Sequence, residues 1–433
     1  MVQAIINGRL VLENKVLEGC ALLFDTKIRG IVSRETIDRI GETTCCWKGK
    51  PVQLVDAQNA YVSPGFINLH IHGCAGVDTM DTEEDTLRKM SYFQAQTGVT
   101  SFLPTTMTAD WPAVYRALER IRHEMAVLKK YRSSDRSTDA KEGNTGTFQM
   151  AHESTDSPYS DREFVGAKIL GAYLEGPFIN AAFKGAQKAE AVVPADFEKI
   201  AAYTDVIKAV VIAPETLKDD EKRLTAFLNQ CRACGMIVSL GHSAATYEES
   251  IRTIKQGAKH VTHLFNAMSG IHHRAPGLAG AALQTDTVCE LIADNIHVHP
   301  AMQQLIYKLK GAANLELITD SLRACGMPDG ISELGGQTVY VKNGVARLKN
   351  DVLAGSTITL NQAMANFQKN TGAPVPEVVQ MVTGNQAQEL GLFEKIGSLR
   401  PGAAADITVF NDDFTILKTF VEGNLVYKNS AVE

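Results

Sequence analysis

Between residues 62 and 319 the chain alternates short apolar runs with stretches of helical periodicity, and this alternation limits its folds more than any other feature. The runs fall at 62–70, 100–105, 169–175, 207–213, 236–241, 260–264, 290–293 and 315–319. Amphipathic stretches at 83–96, 111–128, 219–234, 247–256 and 300–309 lie between them. Strands separated by helices form parallel sheets, because parallel neighbours need a crossover of a dozen or more residues. Eight such strands predict an α/β protein built on a (β/α)8 TIM barrel over 61–390. An open doubly wound sheet is the alternative, but its dinucleotide-binding form needs a Gly-x-Gly-x-x-Gly after the first strand, and none stands there.

The two ends read differently. Residues 1–60 and 391–433 are short apolar pieces broken by Gly, Asn and Asp. The reading expects a small β-sandwich domain assembled from both termini, with a hairpin over 4–12 turning at Asn7-Gly8. Residues 132–163, rich in Ser, Thr, Asp and Gly, have little to bury and read as a disordered insertion. With 43 basic and 49 acidic residues the formal charge is −6, so neither nucleic acid nor an anionic membrane is expected as a partner. No apolar run reaches the roughly 18 residues of a membrane span. The opening Met1-Val2-Gln3-Ala4-Ile5-Ile6 lacks a secretion signal, and eight scattered cysteines suit reduced thiols, so a cytoplasmic protein is expected.

In a barrel of this type chemistry collects at the C-terminal ends of the strands. Polar residues stand at six of these ends: His70 and His72, Glu175, His242, His263, Asp294 with His297, and Asp320. Side chains two apart on a strand share a face, so His70 and His72 can grip one cation together. Each residue alone reads more simply as a solvated or capping group. Six ends carrying only nitrogen and oxygen donors are harder to explain that way. His123, His152 and His260 receive no role, and Cys231-x-x-Cys234 reads as packed thiols late in a helix.

This ordered set resembles the amidohydrolase superfamily. The segments Pro64-Gly65-Phe66-Ile67-Asn68-Leu69-His70-Ile71-His72, Leu174-Glu175-Gly176-Pro177, Gly241-His242-Ser243, Thr262-His263-Leu264-Phe265-Asn266-Ala267-Met268 and Arg274-Ala275-Pro276-Gly277 resemble its N-acetylglucosamine-6-phosphate deacetylase family. The resemblance implies hydrolysis of an N-acetylated sugar phosphate in amino-sugar catabolism. It implies a divalent metal, one or two per chain, with zinc the default and iron the alternative. Glu175, His242 and His263 would hold the principal ion, and His70 and His72 a second. Asp320 would be the general base, and His297 would meet the acetyl oxygen. Ala186, Gln187, Asn266, Ala267, Arg274, Leu353, Ala354 and Gly355 would contact the sugar phosphate. A homodimer or homotetramer is implied, with Arg274 reaching a neighbouring site. Gln187 departs from the family pattern, which has His there, and this leaves substrate preference open. Another amidohydrolase activity, or a non-catalytic binding module on the same fold, are the competing readings.

Overall fold

The computed structural model describes residues 1–40, 44–134 and 166–432. Its centre is a barrel of parallel strands: β1 (Phe66–Ile71), β2 (Val99–Thr106), β3 (Ala172–Leu174), β4 (Ile207–Ile212), β5 (Ile237–Leu240), β6 (His260–Val261), β7 (Val288–Ile292) and β8 (Leu315–Ile318). Every residue of β1 and β2 is buried, as expected where helices cover the outer face. The crossover helices include α1 (Thr86–Gln96), α2 (Trp111–Ser134), α3 (Glu221–Ala233), α4 (Tyr247–Lys255), α5 (Gly277–Gln284), α6 (Pro300–Lys310) and α7 (Leu360–Thr371). The ring closes at its upper rim. Asp320 N donates to His70 O (2.9 Å) and His72 N to Ser321 O (3.0 Å), so the seam between β8 and β1 is sewn by site residues.

Both termini feed a β-sandwich. One sheet runs Ile28–Ser33, Cys20–Phe24, Val2–Ile6, Lys50–Asp56, Thr44–Trp47 and Asp38–Ile40. The other runs Asn424–Lys428, Ile416–Val421, Ile407–Phe410, Tyr61–Pro64, Arg9–Val11 and Val16–Leu17. Ile5, Leu22 and Phe24 of the first pack on Leu10, Val62, Ile407 and Phe420 of the second.

Two expectations need correction. The strands either side of Asn7-Gly8 do not pair as a hairpin. Val2–Ile6 pairs with Cys20–Phe24 and Lys50–Asp56, whereas Arg9–Val11 pairs with Val16–Leu17 and Tyr61–Pro64. Asn7, at φ 54°, hands the chain from one sheet to the other. The run 62–70 is two strands, not one. It breaks at Gly65, where a Cβ would lie 2.2 Å from the Thr100 side chain, and its first half belongs to the sandwich. A three-stranded antiparallel sheet (Gly330–Leu334, Gln337–Lys342, Val345–Leu348) follows β8. From residue 135 on, the insertion expected at 132–163 lies outside the described residues.

Candidate metal centre

Six of the strand-end side chains meet at the upper rim. Glu175, one residue beyond β3, lies between two groups. Its Oε1 is 3.0 Å from His242 Nε2 and 3.0 Å from His263 Nε2. Its Oε2 is 2.9 Å from His72 Nε2. Asp320 Oδ1 stands 3.3 Å from His72 Nε2 and 3.6 Å from His70 Nε2. The donors thus form two sets, Glu175–His242–His263 and His70–His72–Asp320, each with its atoms within 4.8 Å of one another. The backbone is bent to achieve this. His242, His263 and Asp320 have φ of 48°, 27° and 45°, left-handed values that cost a non-glycine residue of order 1–3 kcal/mol.

Neighbouring groups fix the rings. His70 Nδ1 pairs with Glu290 Oε2 at 3.0 Å, and the same oxygen accepts His263 N at 3.1 Å. His72 Nδ1 meets Thr105 O at 3.2 Å, and His242 Nδ1 meets Phe183 O at 3.0 Å. With each Nδ1 so engaged, Nε2 of these three rings is turned into the cluster, the arrangement that orients imidazole ligands.

The donor set fits a divalent cation. His70 Nε2 is buried without a hydrogen-bond partner. His242 and His263 bring their Nε2 atoms to 3.1 Å of each other and aim both at one carboxylate oxygen. Hydrogen bonds alone satisfy such convergence poorly, whereas a cation accepts all of these lone pairs. Electrostatics agree. Burial opposes charge on the imidazoles, yet Glu290, Glu175 and Asp320 outweigh it and hold His70 well above its ordinary value. Burial is likewise overcome at His72, pushed up to about 10 by Asp320 and Glu175. Burial would raise Glu175 and Asp320, but the surrounding histidines hold both carboxyls below their usual range. The cluster therefore holds positive charge strongly, as protons or as metal.

The other expected residues fall into two classes. Gln187 is buried beside the cluster, donating to Glu175 Oε2 (2.5 Å) and accepting from Thr108 N (2.6 Å). Ala186 precedes it and accepts from Gln337 Nε2 of the added sheet. Leu353, Ala354 and Gly355 run past Asp320, whose carbonyl accepts Ser356 N at 2.8 Å. Asn266 and Ala267 stand three and four residues after His263, and Ala267 O accepts Ser243 N. His297 sits five residues beyond β7, in the loop that follows it, with Nδ1 2.6 Å from Asp294 Oδ2. Arg274 stands apart on an exposed stretch, with its guanidinium against His273. Glu290 was missed from sequence. Its signal was available: a lone carboxylate within the apolar run Val288-Cys289-Glu290-Leu291-Ile292 must have a partner when buried.

The amidohydrolase family model matches residues 61–426. The chain belongs to the amidohydrolase family. It is 35% identical over 369 residues to an N-acetylglucosamine-6-phosphate deacetylase of Bacillus subtilis (strain 168), covering 84% of each. It is 33% identical over 380 residues to an N-acetylgalactosamine-6-phosphate deacetylase of Escherichia coli O157:H7, covering 87% of this chain and 90% of that one. The crystal structure of N-acetylglucosamine-6-phosphate deacetylase from Pasteurella multocida superposes with a TM-score of 0.81 at 29% identity, covering 99% of this chain and 100% of that one. Among the described residues of this amidohydrolase, no helix is long and apolar enough to cross a membrane.

Proposed function

We propose that this amidohydrolase removes the acetyl group of N-acetyl-D-glucosamine 6-phosphate, giving D-glucosamine 6-phosphate and acetate, in amino-sugar catabolism. The observation that carries the reading is Glu175. It is a native carboxylate one residue beyond β3 that faces four imidazoles at once. Glu175, His242 and His263 would hold the principal cation, and His70 and His72 a second. A divalent ion there, zinc by its ligand set or else iron, supplies the Lewis acidity that polarises the acetyl carbonyl and lowers the pKa of water.

The remaining work falls to side chains. Asp320, kept ionised by the histidines beside it, takes the proton of the attacking water. It then delivers that proton to the amine nitrogen as the C–N bond breaks, and the proton left on the acetic acid so formed passes to the amine or to solvent, leaving acetate. His297, with Nδ1 held by Asp294, would donate an Nε2–H to the acetyl oxygen as charge grows there, a role that needs hydrogen on both ring nitrogens. Arg274 suits the phosphate, since a guanidinium forks onto its oxygens. In this reading Arg274 serves the neighbouring site of a homodimer or homotetramer. Ala186, Gln187, Asn266, Ala267, Leu353, Ala354 and Gly355 surround the sugar.

A second reading, the galactosamine epimer, rests on the 33% identical relative that carries that name, and Gln187 leaves the choice open. Both ends of this side chain are engaged by Glu175 and Thr108, where the resemblance called for a sugar-facing histidine. Acetate release from the two phosphorylated epimers and from unphosphorylated N-acetylglucosamine decides between them. The glucosamine 6-phosphate derivative is expected to lead in kcat/KM, with the unphosphorylated sugar at least about 100-fold lower, the worth of two charge-assisted hydrogen bonds. No acetate from either phosphorylated sugar, with metal supplied, contradicts the proposal.

A further inference from the structure

Six strand ends carry groups of the centre or its edge, and β4 carries none of them. What stands there is Glu215, three residues beyond β4 in the turn Pro214–Leu217. Its carboxylate accepts three hydrogen bonds from two other loops. Oε1 takes Asn180 Nδ2 (2.8 Å) and Ala244 N (2.6 Å), and Oε2 takes Ser243 Oγ (2.7 Å). Asn180 belongs to the loop after β3, and Ser243 and Ala244 follow His242 in the loop after β5.

Both loops converge on His242. Its carbonyl accepts Asn180 N (2.9 Å), and its Nδ1 meets Phe183 O (3.0 Å). The turn Ala181–Phe183 that presents this oxygen is capped by Asn180, whose Oδ1 accepts Ala182 N (2.9 Å). Glu215 therefore grips the residue that caps the cradle and the two residues that leave the imidazole. His242 meanwhile keeps a left-handed backbone at φ 48°, a conformation that persists only where its surroundings over-determine it.

We infer that Glu215 is a positioning residue for the metal centre: it braces the loops after β3 and β5 so that His242 Nε2 stays aimed at Glu175. The inference rests on the metal-centre reading above and adds to it a residue that touches neither the cation nor the substrate. Hydrogen bonds that orient a ligand are commonly worth about 10–100-fold in metal affinity.

The test is a competitive zinc titration of the metal-free chain against a chelating indicator, below the unfolding midpoint of each variant. Wild type, E215Q, E215D and E215A are compared. E215Q keeps an acceptor oxygen for Asn180 and Ala244 and offers Ser243 an N–H, so its zinc dissociation constant stays within about threefold of wild type. E215A leaves three donors without an acceptor, and zinc binding weakens about 10–100-fold. E215D keeps the charge but is one methylene too short to span both loops, so it weakens similarly and reads the same effect should E215A not fold. Thermal unfolding of the metal-free variants separates a merely structural role, which lowers the midpoint without changing zinc affinity. Unchanged affinity in E215D and E215A overturns the inference alone, as does a loss in E215Q equal to that in E215A. A wild type without tight zinc binding overturns the metal-centre reading and this inference with it.

Discussion

Two buried histidine–carboxylate clusters occupy the same barrel, and they differ in one respect. In the lower one, His260 Nδ1 meets Ser239 Oγ at 2.9 Å and Nε2 meets Glu316 Oε2 at 3.2 Å, so each ring nitrogen has a partner of its own. Ser239 continues to Thr262 and Tyr173, and only Glu316 Oε1 of this carboxylate is left without a hydrogen-bond partner. At the rim, His70 Nε2 has no hydrogen-bond partner, and His242 and His263 compete for one oxygen of Glu175. Burial is similar in both. What marks a ligand is not burial but a surplus of converging lone pairs that neighbouring donors leave unmet.

That contrast can be broken or sharpened by substitution. Asp320→Asn should lower kcat by about 100- to 10,000-fold with the ion at Glu175, His242 and His263 retained, as expected for loss of a positioned base. Elemental analysis and acetate release on one sample check this, and near-wild-type turnover defeats the assignment. Glu290→Gln removes the carboxylate that fixes His70 Nδ1 and His263 N, and should weaken metal retention about 10- to 100-fold in a chelator competition. Arg274→Ala lies outside both clusters and should raise KM for the phosphorylated sugar about 10-fold or more, from loss of a charged hydrogen bond, while leaving the unphosphorylated sugar unchanged. His260→Gln should behave oppositely to a rim variant. It should cost about 1–3 kcal/mol in urea unfolding yet leave kcat/KM within about threefold, since the contacts with Ser239 and Glu316 that it disturbs lie away from the rim. The smallest effect concerns pH. Burial and the nearby Glu389 and Glu290 push Glu316 up to about 7 despite His260. A carboxyl raised on folding contributes stability that is full below its ordinary 4.5 and lost as pH rises through about 7. Glu316→Gln should therefore flatten the decline of unfolding free energy across that window, and an unchanged slope counts against the assignment.

The rim was legible because parallel strands end at one face, so a polar residue after an apolar run is placed by topology alone. His70, His72, Glu175, His242, His263 and Asp320 all carried that signature. His260 shows where the logic stops. It shares the run His260-Val261-Thr262-His263 with a rim residue, and only depth along the strand separates them. Glu290 and Glu316 were visible as charges inside apolar strands, but their partners lie 220 and 56 residues away in sequence. Glu215 gave no local sign, because its three donors come from two other loops. The Asn7-Gly8 turn misled for a related reason: turn chemistry specifies a reversal, not which sheet receives the next strand.

The most direct test of the contrast is anomalous diffraction at the metal's absorption edge from crystals of the metal-loaded protein. A peak is predicted about 2.0–2.2 Å from Glu175 Oε1, His242 Nε2 and His263 Nε2, the distance of zinc from nitrogen and oxygen ligands. No peak at the rim, or a peak between His260 and Glu316 instead, would contradict the account.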